Sequence, residues 1–79
     1  MEIKVLEVGC SKCKVLLQRT LDAAKQLGVE ENVESISDIS EISKFGVMNL
    51  PALVINGEVK SAGKVPKSEQ IIEWLNAHR

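Results

Sequence analysis

The sequence has no excess of charge, no long apolar run and only two cysteines. Its 79 residues carry ten basic and eleven acidic side chains, which leave a formal net charge of −1. The two signs are interspersed along the chain, so the composition argues against a nucleic acid as partner. No apolar run approaches the roughly 20 residues that cross a bilayer, so the sequence predicts no membrane span.

The first residues contain no export signal, since no cationic segment precedes an apolar stretch. We therefore expect a protein of the cytoplasm. In such a reducing compartment two cysteines seldom form a permanent disulfide, which leaves catalysis, redox sensing and metal binding as roles for them. We also expect one domain, 1–79, that buries only about 60–65% of its unfolded surface and has little room for a second site.

Both cysteines stand in one short segment, Cys10-Ser11-Lys12-Cys13. The segment follows an apolar run and precedes a helical pattern. A pair with this spacing, where a strand gives way to a helix, places both sulfurs at the helix N-terminus, with the second thiol one turn further in. Such a pair can close a small disulfide reversibly, so it is the candidate site of chemistry. The alternative is two unrelated buried thiols that happen to have this spacing.

The first half of the chain predicts a strand, a helix and a second strand. An apolar run that ends at Gly9 is typical of a strand covered on both faces. The members of this run are Ile3, Val5, Leu6 and Val8. From Ser11 to Leu27 apolar residues recur at spacings of three and four, which predicts an amphipathic helix, with Gly28 placed to end it. A second strand is predicted from Val33 to Ile36.

The second half predicts a short helix, a β-hairpin and a final helix. Asp38 and Glu41 resemble a capping box at the start of the short helix. Asn56-Gly57 fits a type I′ turn, which predicts a hairpin over residues 52–62. The final helix is predicted over about 67–77 from its apolar stripe. The apolar faces contain Ile39, Ile42 and Phe45 in the short helix, and Ile71, Ile72, Trp74 and Leu75 in the final one.

The predicted order of elements is βαβ-α-ββα. The strand-helix-strand start calls for a right-handed crossover between parallel strands, and the hairpin adds an antiparallel pair. The sequence therefore predicts an α/β fold in which helices flank a four-stranded mixed sheet.

Three segments carry a resemblance to a known family: Gly9-Cys10-Ser11-Lys12-Cys13, Leu50-Pro51-Ala52-Leu53-Val54-Ile55-Asn56-Gly57-Glu58-Val59 and Gly63-Lys64-Val65. With them the chain resembles, over nearly its whole length, the small thioredoxin-like redox-active disulfide proteins of the thioredoxin/glutaredoxin superfamily. The resemblance implies a minimal thioredoxin-like fold, a protein-disulfide oxidoreductase activity and no cofactor beyond the redox-active disulfide. Pro51 stands where such proteins have a cis proline that faces the disulfide.

The resemblance and the predicted helix together indicate roles for individual residues. We expect Cys10 to be the attacking nucleophile, because the start of a helix favours a thiolate. Cys13, on the apolar face of the helix, is then the resolving thiol. If Pro51 is cis, the backbone of Leu50 is presented beside Cys10 and can pair with an extended substrate segment. The remaining predicted substrate-binding residues are Gly9, Ser11 and Lys12.

The expected partners are disulfide-containing proteins and an electron donor such as a thioredoxin reductase-like enzyme, and we expect a monomer.

The chain departs from better-known relatives at two places, and each departure removes one feature that the resemblance would otherwise imply. Lys4 stands where larger thioredoxins have a buried acid, so no carboxylate is assigned to proton transfer. The glutaredoxin signature for glutathione has a Gly-Gly pair before acidic residues, whereas this chain has Gly63 followed by Lys64. Glutathione is therefore a poor candidate substrate.

Two other functions would use the same thiolates. Small copper-carrier domains also have a Cys-x-x-Cys pair after their first strand, but they end in a strand and usually have methionine where this chain has Val8. A structural zinc site needs four protein ligands, so the two thiolates suffice only if two chains share a metal. The lone His78 is remote from the pair, has no partner at ligand spacing and is expected to be exposed. A redox sensor, whose disulfide changes partner binding without turnover, needs the same accessible Cys10 and stays open.

Overall fold

The computed structural model of the chain describes residues 2–78. Its elements are β1 (Ile3–Leu6), α1 (Ser11–Gln26), a 3₁₀ turn (Glu30–Asn32), β2 (Val33–Ile36), α2 (Ile39–Lys44), β3 (Ala52–Ile55), β4 (Glu58–Ala62) and α3 (Ser68–Ala77). The predicted order βαβ-α-ββα is confirmed, and the 3₁₀ turn is an addition to it. Within residues 2–78, no helix has the length and apolar character that crossing a membrane requires.

The four strands form one mixed sheet in the order β2-β1-β3-β4. Strand β1 pairs in parallel with β2 and antiparallel with β3, and β3 pairs antiparallel with β4. The parallel pair needs the crossover that α1 provides. Leu6, the last residue of β1, is opposite Ala52, the first residue of β3. The segments after β1 and before β3 therefore lie at the same edge of the sheet.

The two faces of the sheet bury different clusters, because successive strand residues point to opposite sides. The larger cluster contains Ile3, Val5, Leu53 and Ile55 from the strands, Leu16, Ala23 and Ala24 from α1, and Ile71 and Leu75 from α3. The smaller cluster contains Leu6, Ala52, Val54 and Ile42. Helices α1 and α3 thus cover one face of the sheet, and α2 covers the other.

The structure reproduces only part of the buried face that the apolar spacing predicts for α1. The predicted members of this face are Cys13, Leu16, Leu17, Leu21, Ala24 and Leu27. Thr20 and Ala23 are fully buried, whereas Leu17 and Leu21 are only partly buried. The hydroxyl of Thr20 donates a hydrogen bond to the carbonyl oxygen of Leu16 at 2.8 Å. Because this bond lies within the helix, Thr20 can be buried without leaving a polar group unpaired.

Two residues predicted to lie on apolar faces are exposed instead. Val8 lies beyond the end of β1 and is 50% exposed, because the strand ends at Leu6. Ile39 is the first residue of α2 and is 64% exposed. Within this short helix only Ile42, further along, is buried.

The cap of α2 is half of the predicted capping box. The Asp38 side chain accepts a hydrogen bond from the N–H of Ser40 at 2.8 Å, as an N-cap residue does. The carboxylate of Glu41 instead pairs with the ammonium group of Lys44, at 3.4 Å.

The hairpin turn has the predicted form and contacts the end of α3. Asn56 and Gly57 have φ values of 51° and 83°, the left-handed pair that a type I′ turn requires. His78 lies with Nδ1 3.4 Å from Nδ2 of Asn56 and Nε2 3.4 Å from Oε2 of Glu58. The hydrogen bond and charge of Lys60 lower the pKa of Glu58, and His78 adds to this effect. His78 is thus partly buried, whereas the sequence predicted an exposed side chain.

Candidate active site

The two cysteines form a disulfide at the N-terminus of α1. Cys10 is the N-cap residue, with φ −73° and ψ 164°, and the Cα atoms of Cys10 and Cys13 are 5.0 Å apart. The Sγ atom of Cys10 accepts a hydrogen bond from the backbone N–H of Cys13 at 3.1 Å. The sulfur thus takes the place of the oxygen acceptor of a usual N-cap. Negative charge on this sulfur would be stabilised by the free N–H groups of the first helical turn.

The two cysteines differ in exposure. Cys10 is exposed, whereas Cys13 is fully buried. The extended conformation of Cys10 places it before the helix, while Cys13 lies on the face that α1 turns towards the sheet. A second molecule can therefore approach the sulfur of Cys10 but not that of Cys13.

Positive charge predominates in the first turns of α1. This helix has no acidic residue in its first turn. Lys12 and Lys14 are both exposed there, close in sequence to Cys10. These positive charges have the same sign as the N-terminal end of the helix dipole.

The segment between β1 and the disulfide is held by Glu7. The backbone N–H of Glu7 donates to the carbonyl oxygen of Ile36 at 3.0 Å. One oxygen of its carboxylate, Oε2, accepts a hydrogen bond from the N–H of Gly9 at 2.8 Å, and the other, Oε1, accepts one from the hydroxyl of Ser35 at 3.1 Å. Neither Glu7 nor Ser35 was predicted as a site residue, because no spacing in the sequence brings them together.

The segment before β3 lies at the same edge of the sheet as the segment that leads to the disulfide. The peptide bond between Leu50 and Pro51 is cis. Pro51 is buried, and Leu50 packs against the smaller cluster. The pairing of Leu6 with Ala52 places Pro51 at the sheet edge from which the chain leads to the disulfide.

Gly63 is hydrogen-bonded to Pro51 at this edge of the sheet. Its N–H donates a hydrogen bond to the carbonyl oxygen of Pro51 at 2.8 Å. Its φ is +74°, and a Cβ added to it would lie 2.8 Å from the Cβ of Asn49. The sequence marked Gly63 only as part of a family resemblance, and its close approach to Asn49 became visible with the fold.

The structure places the other predicted site residues as follows. Ser11 and Lys12 lie in the first turn of α1, and Gly9, with φ +91°, precedes the disulfide.

Lys4, which stands where larger thioredoxins have a buried acid, lies with its ammonium nitrogen 5.4 Å from the centre of the Phe45 ring. Among residues 2–78, no group of three or more His, Cys, Asp or Glu side chains is arranged to hold a metal ion.

A cleft of about 670 Å³ lies between β4 and α3, apart from the predicted site residues. Its lining consists of Lys60, Ser61, Ala62, Lys64, Val65, Pro66, Lys67, Gln70 and Trp74.

Comparisons with known proteins agree over almost the whole chain. The family model described as "Thioredoxin domain" matches residues 1–76. A protein named "Thioredoxin" from Methanothermobacter thermautotrophicus is 34% identical over 76 residues, which cover 96% of this chain and 99% of that protein. A second protein of this name, from Methanocaldococcus jannaschii, is 26% identical over 76 residues, which cover 96% of this chain and 87% of that protein. The matched range includes both cysteines and the hairpin.

Proposed function

This chain belongs to the thioredoxin family and is a thiol–disulfide oxidoreductase, and from this premise we propose that it reduces disulfides of other proteins through Cys10 and Cys13. The observation that carries the proposal is the difference in exposure within the pair. An exposed thiolate at a helix N-terminus suits attack on another molecule, and a buried neighbour suits the intramolecular step that follows.

In the first step the Cys10 thiolate attacks one sulfur of the substrate disulfide. A bond forms between Cys10 and that sulfur, the substrate's own S–S bond breaks, and the second substrate sulfur leaves as a thiolate that takes up a proton. In the second step Cys13 loses its proton and attacks Cys10. The Cys10–Cys13 bond forms and the mixed disulfide breaks, and the substrate sulfur leaves as a thiolate that takes up a proton. The substrate has then gained two electrons and two protons. The oxidised pair seen in the structure is the product of this step.

We propose that an extended substrate segment lies beside Cys10 and pairs with the backbone of Leu50, next to Pro51. Gly9, Ser11 and Lys12 form the rest of this surface. The pairing of Leu6 with Ala52 supports this arrangement, because it brings the segments around both groups of residues to one sheet edge.

The remaining parts of the proposal concern partners and setting. Regeneration of the dithiol needs two electrons from a donor, for which we propose a thioredoxin reductase-like enzyme. We further propose that the protein acts as a monomer in the cytoplasm.

Capture of the mixed disulfide tests the proposed direction of attack. In the Cys13→Ser variant the second step is blocked, so proteins joined to Cys10 accumulate and can be released by reductant and identified by mass spectrometry. The matched Cys10→Ser variant keeps one thiol but presents none at the surface, so it should capture few proteins. Equal capture by the two variants would contradict the assignment of Cys10 as nucleophile.

A turnover assay separates an enzyme from a redox sensor that uses the same two thiols. With dithiothreitol as donor, a substoichiometric amount of the wild-type protein should accelerate the reduction of insulin through many cycles. A sensor would react once per molecule. Reduction limited to one equivalent, or none above the dithiothreitol background, would contradict the proposed function.

A further inference from the structure

We propose that Glu7 is a positioning residue for thiol–disulfide exchange, because its carboxylate ties the backbone before Cys10 to strand β2. The proposal rests on the proposed function, since positioning matters only if Cys10 and Cys13 exchange between dithiol and disulfide.

The carboxylate of Glu7 uses both of its oxygens. Oε2 accepts from the N–H of Gly9 at 2.8 Å, and Oε1 accepts from the hydroxyl of Ser35 at 3.1 Å. Gly9 precedes Cys10 directly, and Ser35 lies on β2 opposite Val5. Hydrogen bonds to an ionised acceptor are stronger than neutral ones. One side chain therefore connects the loop that carries Cys10 to strand β2. We call these two hydrogen bonds of the Glu7 carboxylate the bridge.

Packing does little to hold this loop. Val8 is half exposed and Cys10 is exposed. Gly9 has φ +91°, and no atom lies within 4 Å of the place where its Cβ would be. With so few apolar contacts, the position of this loop depends on its hydrogen bonds. On the strand side these are the two bonds to the carboxylate and the bond between the N–H of Glu7 and Ile36.

The bridge is most important in the dithiol form, in which no covalent bond joins Cys10 to Cys13. On the helix side, Cys10 is held by the bond from the N–H of Lys14 to its carbonyl oxygen, at 3.1 Å, and by the bond from the N–H of Cys13 to its sulfur. On the other side, the loop and the Glu7 carboxylate help to keep Cys10 at the N-cap. Loosening the loop lowers the effective concentration of one sulfur at the other and removes the Cys10 thiolate from the N–H groups of α1. The first effect disfavours the disulfide, and the second raises the pKa of the Cys10 thiol. Because a less stabilised thiolate by itself favours the disulfide, the glutathione equilibrium is measured below the thiol pKa values, where only the first effect acts.

Three variants separate the bonds from the charge. Glu7→Ala removes both acceptors. Glu7→Gln removes the charge but keeps an amide oxygen for the N–H of Gly9 and an NH₂ group that can donate to the hydroxyl of Ser35. Ser35→Ala removes only the link to β2. Glu34→Ala, which removes an exposed carboxylate beside Ser35, is the matched control.

The first measurement is the equilibrium in which the dithiol and oxidised glutathione give the protein disulfide and two molecules of reduced glutathione. Glu7→Ala should lower this constant by about threefold to tenfold, the range expected for one or two hydrogen bonds. Ser35→Ala should lower it less, and Glu7→Gln should recover part of the wild-type value, because its hydrogen bonds are neutral and weaker. Glu34→Ala should match the wild type.

The second measurement is the pH profile of Cys10 alkylation by iodoacetamide in the reduced protein. Both Glu7 variants lose the carboxylate charge, and this loss by itself lowers the pKa of a nearby thiol, so the two are compared with each other. The profile of Glu7→Ala should lie at higher pH than that of Glu7→Gln, because only Glu7→Ala also loses the hydrogen bonds. An unchanged glutathione equilibrium and alkylation profile in Glu7→Ala would overturn the proposal. Equal changes in Glu7→Ala and Glu7→Gln would also overturn it, because the charge and not the bridge would then be responsible.

These measurements remain informative if the proposed function fails. A wild-type protein that does not turn over insulin contradicts protein-disulfide reduction, yet its glutathione equilibrium still tests whether Glu7 positions Cys10.

Discussion

At the scale of single residues, Gly63 has no room for a side chain. Its φ of +74° lies in the left-handed region, and the Cβ of Asn49 would be 2.8 Å from a Cβ added to Gly63. Because that Asn49 atom is bonded directly to the backbone, it cannot rotate away. The N–H of Gly63 is also bonded to the carbonyl oxygen of Pro51. A side chain at Gly63 therefore displaces the backbone next to the site.

We expect Gly63→Ala to destabilise the protein by more than the roughly 1–2 kcal/mol that a left-handed alanine costs. Gly28→Ala is the control, because Gly28 has φ +72° and open space around its missing Cβ. The difference between the two variants in urea-induced unfolding then measures the contact with Asn49. Equal losses of stability would show that this contact has no energetic effect.

Residues also differ in how far the sequence alone reveals them. Cys10, Cys13 and Pro51 were predicted because a local spacing or a family pattern marks them. Glu7 and Ser35 were missed because their bond joins residues 28 positions apart and depends on the parallel register of β1 and β2. No local pattern specifies which side chains meet across neighbouring strands. The contacts of His78 were missed because they also join residues far apart in the sequence, at the end of α3 and in the hairpin.

At the scale of elements, helix α1 links the site to the core. It presents the cysteine pair at its N-terminus and packs Leu16, one turn further along, into the larger cluster. Packing of the helix against the sheet therefore fixes the direction of the helix dipole at Cys10.

Truncation of two neighbouring residues of α1 measures this packing. Leu16→Ala should cost about 2–5 kcal/mol, as expected for a fully buried leucine. Val15→Ala should cost well under half as much, because Val15 is 44% exposed. Urea-induced unfolding of the oxidised proteins compares them directly. Similar losses at both positions would mean that α1 faces the sheet differently from the structure.

The hairpin shows what periodicity cannot predict within an element. Its turn was predicted from Asn56-Gly57, but the pairing shifts between Leu53 and Val54 and leaves Lys60 as an extra residue on β4. A bulge depends on which residues oppose each other, and that information lies in the partner strand. Placed on an edge strand, a bulged lysine also discourages pairing with another chain.

At the scale of the whole molecule, topology followed from a few local signals and one general rule. Gly28 and the Asn-Gly turn marked element boundaries, and the handedness of crossovers limited how the strands could be arranged. The order β2-β1-β3-β4 is consistent with those constraints. The distribution of helices between the two faces was not predicted, because it depends on the packing of several elements together.

The disulfide and the fold should stabilise each other. The disulfide joins residues with a sequence separation of three, so it restricts the unfolded chain only slightly. For such a short loop the entropy model gives a gain of about 2 kcal/mol. We expect the oxidised protein to be more stable than the reduced one by up to this amount in urea-induced unfolding. The double variant Cys10→Ser/Cys13→Ser should not respond to reductant. A reduced wild type more stable than the oxidised one would contradict the prediction.

The central position of β1 also has a consequence for motion. All four of its residues pair with both β2 and β3, so their amide hydrogens should exchange with solvent only when the sheet opens. Cys10 lies four residues beyond the end of this strand and is exposed. Reaction at the sulfur and opening of the sheet are therefore separate processes with separate timescales. The protein can pass through many redox cycles while its slowest-exchanging hydrogens stay in place.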